Sequence, residues 1–196
     1  MKQIRIAAAL AVALVAGRAE AQVFTPTFMS PVPGNDFGVY VSGIGEVGIE
    51  GIWRRMSRGG SDVGIRVGYA DVGDGALLAG IEVRNPVVLA GAPIGLAFTA
   101  GAQGIVGDAT QLGGQVGFSV GQALPAGTFT ITPYIHPRLA VLVDPDADEA
   151  AGEDEIDVDV LADIGADFAF AGGVTLRLGI NLADGADWGL GLAWRN

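Results

Sequence analysis

The chain has 196 residues, half of them apolar, a formal net charge of −11 at pH 7 and no cysteine. Such an acidic balance argues against a nucleic-acid partner, and without cysteine no disulfide framework contributes, so stability rests on packing and backbone pairing. Beyond the first residues no apolar run approaches the roughly 20 residues of a helical membrane span, and Gly is abundant at 32.

Residues 1–21 carry Lys2 and Arg5, an apolar run from Ile6 to Gly17, and Ala19-Glu20-Ala21. Basic start, short apolar core and small-x-small end predict a cleaved secretory signal peptide, hence export. Residues 22–36 contain Pro26, Pro31, Pro33 and Gly34 and hold no period; they predict an irregular leader or a small lumen plug ahead of the first strand.

From Phe37 to Asn196 the chain reads as successive two-faced strands, with no helical period of useful length. Phe37–Gly43 is the first. In the second, Glu46 to Met56, Val47, Ile49 and Trp53 oppose Glu46, Glu50 and Arg54. The third sets Val63, Ile65, Val67 and Tyr69 against Asp62, Gly64, Arg66 and Gly68. After a turn at Val72 to Gly75, the fourth sets Leu77, Ala79, Ile81 and Val83 against Gly80, Glu82 and Arg84, and Asn85 to Ala92 is expected to be a connection.

Ile94, Leu96 and Phe98 mark the fifth strand, and Val116, Phe118 and Val120 the sixth. Pro125-Ala126-Gly127 predicts a turn. The seventh, Thr128 to Val143, places Tyr134, His136 and Arg138 on its polar face and Pro133 and Pro137 on its apolar one. Proline cannot donate to a ladder, so a bulge or broken pairing is expected there. Asp144 to Glu155 is a charged, solvated loop. The eighth strand sets Ile156, Val158, Val160, Ile164, Phe168 and Phe170 against Asp157, Asp159, Asp163 and Asp167. Val174 to Ala183 and Trp188 to Trp194 make a closing hairpin around Asp184-Gly185.

Across the strands one face is apolar and rimmed by aromatics, here Trp53, Tyr69, Trp188 and Trp194, while the other is Gly-rich and carries charge. That arrangement suits lipid outside and a polar lumen inside.

With these features the chain resembles the small outer-membrane β-barrel proteins of Gram-negative bacteria. The resemblance covers Phe37 to Asn196 and rests on the signal peptide, the two-faced strands and the terminal strand Trp188 to Trp194. It implies an all-β fold, a closed antiparallel up-and-down transmembrane β-barrel of ten strands, with eight as the alternative, over residues 37–196. It also implies residence in the bacterial outer membrane among lipids and lipopolysaccharide, and assembly by the barrel assembly machinery, which would read the terminal strand. With both termini periplasmic, ten strands place Asp71, Asp74, Asp108, the loop Asp144 to Glu155 and Asp184 outside, and Arg54, Arg55, Arg58, Arg84 and Arg195 near the inner side.

Three patterns invite chemistry. Gly43-Ile-Gly45-Glu-Val-Gly48 matches a dinucleotide fingerprint, with Asp62 downstream, but the fingerprint needs a helix N-terminus and this stretch alternates as a strand. Asp144, Asp146, Asp148 and Glu155 fall at calcium-loop spacing, yet Glu149 stands where the sharp turn needs Gly; a solvated loop is the reading, weak divalent binding the alternative. His136 could form a dyad with Asp157, Asp159 or Asp163. The plainer account is a lumen charge network of Arg66, Glu82, Arg84, His136, Arg138, Asp163, Asp167 and Arg177, with Asp163 and Asp167 partnering Arg177, since buried charges need partners. No cofactor and no enzymatic activity are expected. A structural or surface-interaction barrel with a polar, largely filled lumen is expected, with a narrow porin-like channel for small solutes as the alternative.

Overall fold

The structure is a computed structural model and describes residues 26–44, 46–71, 75–107, 110–145, 156–182 and 187–195. Its strands are β1 (Asp36–Ile44), β2 (Glu46–Met56), β3 (Asp62–Ala70), β4 (Ala76–Val87), β5 (Gly95–Val106), β6 (Thr110–Gly121), β7 (Leu124–Ala126), β8 (Phe129–Val143), β9 (Ile156–Phe170), β10 (Val174–Asn181) and β11 (Trp188–Arg195). Every strand pairs antiparallel with its chain neighbours, except that the three-residue β7 pairs with β8 and not with β6. The ring closes where β1 meets β11 and where β6 meets β8. This is a closed ten-stranded antiparallel β-barrel; the eight-strand alternative falls because Phe37–Met56 is a hairpin of two strands, with Ile44 opposite Glu46.

The period of two sets the faces. On β3, Asp62, Gly64 and Arg66 are buried while Val63, Ile65 and Val67 are exposed. On β8 Tyr134, His136, Arg138 and Ala140 point in and Ile135, Leu139 and Val141 out. Bulky apolar side chains therefore cover the outside: Val47, Ile49, Leu77, Ile81, Val158 and Val160 each stay more than half exposed. A continuous apolar exterior of this kind is unstable in water and matched to hydrocarbon.

β1 begins and β11 finishes at the same end, Asp36 opposite Arg195; this is called the terminal end, and the other, at which β3 gives way to β4 and β8 to β9, the loop end. Phe37 pairs with Trp194 on one side and Trp53 on the other, so an aromatic row marks the terminal end. Tyr69, opposite Leu77, and Trp188, opposite Gly43, mark the loop end. All four interface aromatics, Trp53, Tyr69, Trp188 and Trp194, are exposed at 44–50%.

Four features differ from expectation. β4 runs on through Pro86 to Val87, pairing with Leu96 to Phe98 of β5, where a connection was expected. Pro125 and Ala126 lie in β7, which pairs with Phe129 to Ile131, so the turn falls one step later, around Gly127 with its φ of 69°. Asp157 is exposed, because β9 outruns the β10–β11 wall and carries it past the rim. The inner face is also not polar throughout: Ala70, Ala76, Leu78 and Ile105 form a buried apolar cluster with Leu142 against it, and Leu161 packs on Ala140. Their positions share the inward parity of their strands, which the shorter polar stretches hid.

The prolines of β8 sit where the ladder gives way. Between β6 and β8 the pairs flanking the gap are Gly117–Arg138 and Val120–Ile135, with Phe118–Pro137 and Ser119–His136 missing and the register unshifted. This is a broken pairing, not a bulge. Pro133 lies beyond the last β6 pair, Gly121–Tyr134.

Candidate functional site: the charged lumen

Residues 26–30 occupy the lumen as an extended thread. Thr27, Phe28, Met29 and Ser30 are at most 1% exposed. Pro26 lies near Gly179 and Gly189, while Pro31 lies near Gly95 and Gly121, so the segment descends towards the terminal end. With no β-partner, its backbone carbonyls need donors, since an unpaired buried carbonyl is costly. Arginines supply them on alternate residues: Arg66 to Pro26 O (3.5 Å), Arg54 to Phe28 O (3.3 Å) and Arg84 to Ser30 O (2.6 Å). Phe28 takes a positive φ of 52°, costly for a side chain of its size. Its ring then packs on Tyr40 at 4.6 Å between centroids.

The thread's side chains bind the opposite wall. Thr27 N (3.1 Å) and Thr27 Oγ1 (2.6 Å) donate to Asp163 Oδ2, and Ser30 Oγ donates to Asp167 Oδ2 at 2.7 Å. Gly34 N donates to Asp62 at 2.9 Å. His136, fully buried, has Nδ1 2.8 Å from Thr27 Oγ1 and Nε2 2.8 Å from Thr99 Oγ1, with Asp163 3.5 Å away.

The ion pairs run round the wall. Arg66 grips Glu50 through Nε (3.0 Å) and Nη2 (2.5 Å) and reaches Glu82 at 3.4 Å; Arg54 Nε is 2.6 Å from Glu82. Arg84 forms a two-point contact with Asp62. Arg177 holds Asp36 at 2.6 Å, donates to the Tyr40 hydroxyl and lies 3.4 Å from Asp167. Arg138 pairs with Asp163 at 3.0 Å, whose Oδ1 also accepts from Asn181 Nδ2 at 3.0 Å. Among the described residues these five arginines and the carboxylates of Asp36, Glu50, Asp62, Glu82, Asp163 and Asp167 are all under 9% exposed. Charges so far from water persist only with partners at hydrogen-bonding distance.

The residues expected to meet in the lumen lie there, but one pairing is different. Asp163 serves Arg138, Thr27 and Asn181, not Arg177, whose principal partner is Asp36, because Arg177 extends towards the terminal end, where Asp36 begins β1. Sequence reasoning missed Asp36, Glu50, Arg54, Asp62, Thr27, Ser30 and Tyr40 as lumen partners. Glu50, Arg54 and Asp62 already stood on the polar faces of β2 and β3; the contacts of Asp36 and the thread had no periodicity to show them, although a lumen plug was one of the two readings of residues 22–36. Arg54 and Arg84, expected near the inner rim, lie at the terminal end but inside it.

Of the calcium-loop candidates, Asp144 follows the last residue of β8 and is half-buried, whereas Asp146, Asp148 and Glu155 lie outside the described residues. Among the described residues no three His, Asp or Glu side chains are arranged to hold a metal. The GxGxxG stretch falls on the β1–β2 hairpin, Gly45 outside the described residues, with β2 continuing from Glu46 as a strand.

Two-faced strands, closure and the apolar exterior define the chain as a transmembrane β-barrel of the outer-membrane type. No family model and no curated protein matches its sequence. In structure it is similar to the beta domain of the Bordetella autotransporter Brka, with a TM-score of 0.53 and 16% identity over 83% of this chain and 76% of that one. It also aligns with a KdgM porin at a TM-score of 0.45 and 6% identity, covering 82% of this chain and 99% of that chain. These likenesses are of fold.

Proposed function

We propose that this chain is an exported protein of the bacterial outer membrane, freed of its signal peptide, that serves as a structural or surface-interaction barrel and conducts no solute. It is not an enzyme on this reading. Membrane lipids and lipopolysaccharide surround it, and the barrel assembly machinery inserts it.

The observation that carries the reading is the burial of the thread and its clamps. A water-filled channel past Arg54, Arg84, His136 or Thr27 would leave them accessible, yet each is at most 1% exposed. Small barrels are filled by side chains in the same way. Nearer the loop end, Leu78 and Ile105 with Ala70 and Ala76 add an apolar patch on β3 to β5, with Leu142 of β8 against it, which disfavours a continuous file of ions or water there. His136, the residue on which a catalytic dyad would depend, is enclosed between two threonines and has no surface for a substrate.

The test is single-channel recording with purified protein in planar bilayers. The expected result is a silent membrane. Stable open currents from the full-length mature chain would replace this reading with that of a narrow porin-like channel.

A further inference from the structure

The arginines of the barrel divide by location. Arg54, Arg66, Arg84, Arg138 and Arg177 are buried in the lumen network. Arg55, Arg58 and Arg195 are exposed, all at the terminal end, and have no carboxylate partner among the described residues. The loop end shows the opposite sign, with Asp71 and Asp157 exposed. The molecule is thus polarised along its axis, although the chain as a whole is strongly acidic.

Arg55 is the informative member. On β2 Trp53 and Arg55 point outward while Arg54 points in, so Arg55 stands on the lipid-facing side, opposite Val63, itself 42% exposed. It lies two residues beyond Trp53, roughly 7 Å along the strand towards water. Tryptophans settle at headgroup level, which sets the Arg55 guanidinium at the depth of lipid phosphates. Arg195 ends β11 level with Asp36 and Arg54, on the inward parity of the strand but exposed at the mouth, two strand positions away across β1 and about 10 Å around the rim from β2. Between the Trp53–Phe37–Trp194 row and the water, Asn35, Trp53, Arg54 and Arg55 line an open cleft of about 270 Å³. Asn35 Oδ1 accepts from Met56 N at 2.6 Å and Arg54 is held by Glu82, so the cation of the cleft left to meet an anion is Arg55. A guanidinium beside an indole favours a phosphate diester bearing acyl chains: charge-assisted bonds to the oxygens and apolar contact for the tails.

We propose that the rim of Arg55, Arg58 and Arg195 beside Trp53 and Trp194 binds the phosphate of anionic glycerophospholipids, holding the terminal end in a phospholipid leaflet. The acidic loop end repels the same headgroups, so the site also fixes which way the barrel faces. The inference rests on the membrane reading of the proposed function.

The test uses the full mature chain reconstituted in phosphatidylcholine vesicles containing brominated phosphatidylglycerol or, separately, brominated phosphatidylcholine, with tryptophan fluorescence as the readout. Trp53 and Trp194 report the terminal end; a Trp188→Phe variant removes the signal from the other. Phosphatidylglycerol should be preferred at the rim by roughly fivefold or more, the effect of one engaged arginine near an anionic surface. Arg55→Gln, Arg58→Gln and Arg195→Gln together should bring the preference close to one, whereas the corresponding Lys variants should keep most of it. These side chains are exposed, so heat-modifiable gel migration should show all variants folded. Equal quenching by the two lipids in the parent, or a preference the triple Gln variant retains, overturns the proposal; so does stronger binding to lipid A vesicles than to phosphatidylglycerol. A folded protein quenched by neither lipid refutes the membrane reading itself, an outcome distinct from loss of lipid preference.

Discussion

Replacing Asp163 by Asn should destabilise the barrel more than any other single carboxylate change, because this side chain joins three parts of the fold. Its Oδ1 accepts from Arg138 and Asn181, and its Oδ2 from the backbone and hydroxyl of Thr27. An amide of the same shape keeps one acceptor. Its NH₂ must then face either Arg138 and Asn181 or the Thr27 N–H, donor against donor, and Arg138 loses the carboxylate that meets it at 3.0 Å. Breaking a buried ion pair costs about 3–5 kcal/mol. For a chain of this size each kcal/mol moves the midpoint by about 2–4 °C, so the shift should be roughly 6–20 °C downward. The assay is the temperature at which the compact, heat-modifiable gel species converts to the unfolded one, checked by circular dichroism in the same detergent. Asp157→Asn, exposed on the same strand, is the control and should stay within about 0.5 kcal/mol. Adding Arg138→Gln to Asp163→Asn should recover part of the loss, since coupled residues are not additive. A folded Asp163→Asn protein that melts within about 2 °C of the parent would refute the view that the lumen network carries stability.

Gly191→Ala should cost about 1–3 kcal/mol in the same melts, because a Cβ there would collide with Tyr40 Cδ1, near the root of a ring held by Phe28 and Arg54. Gly114→Ala, whose Cβ meets nothing nearer than 4.0 Å, should be neutral or slightly stabilising. Thr27→Val removes the hydroxyl that bonds Asp163 and meets His136 and should lower stability by about 1–3 kcal/mol; planar-bilayer recording shows whether the loosened thread also lets ions through, which is expected to remain rare. Neutralising Asp144, Asp146, Asp148 and Glu149 together should leave the melt within about 0.5 kcal/mol and abolish any calcium-dependent shift, measured by repeating the melt with calcium and with chelator.

Much of the barrel was legible because strand alternation is local. Val63-Gly64-Ile65-Arg66-Val67 declares its two faces without reference to anything distant, and the placement of charge opposite bulky aliphatics decides which face meets lipid. Errors arose where local signals mislead. Pro86 and Pro125 read as breaks, yet near strand ends a missing N–H is tolerated, so β4 and β7 include them. Leu78, Ile105 and Leu161 resemble outward residues in type, and only their parity, fixed by the register of neighbouring strands, turns them inward.

The sequence by itself determined the strands, their faces and the need for charge compensation inside, because each follows from a period of two and from the cost of burying an unpaired charge. It could not determine which arginine meets which carboxylate. Arg177 is 141 residues from Asp36 along the chain, and the two meet only because β11 closes on β1 and β10 lies beside it. Nor could it decide whether residues 26–30 form a leader or a lumen plug. That aperiodic stretch enters the lumen because the closed wall presents Arg54, Arg66 and Arg84 to its carbonyls and Asp163 and Asp167 to its side chains, an environment that exists only once the ring is complete.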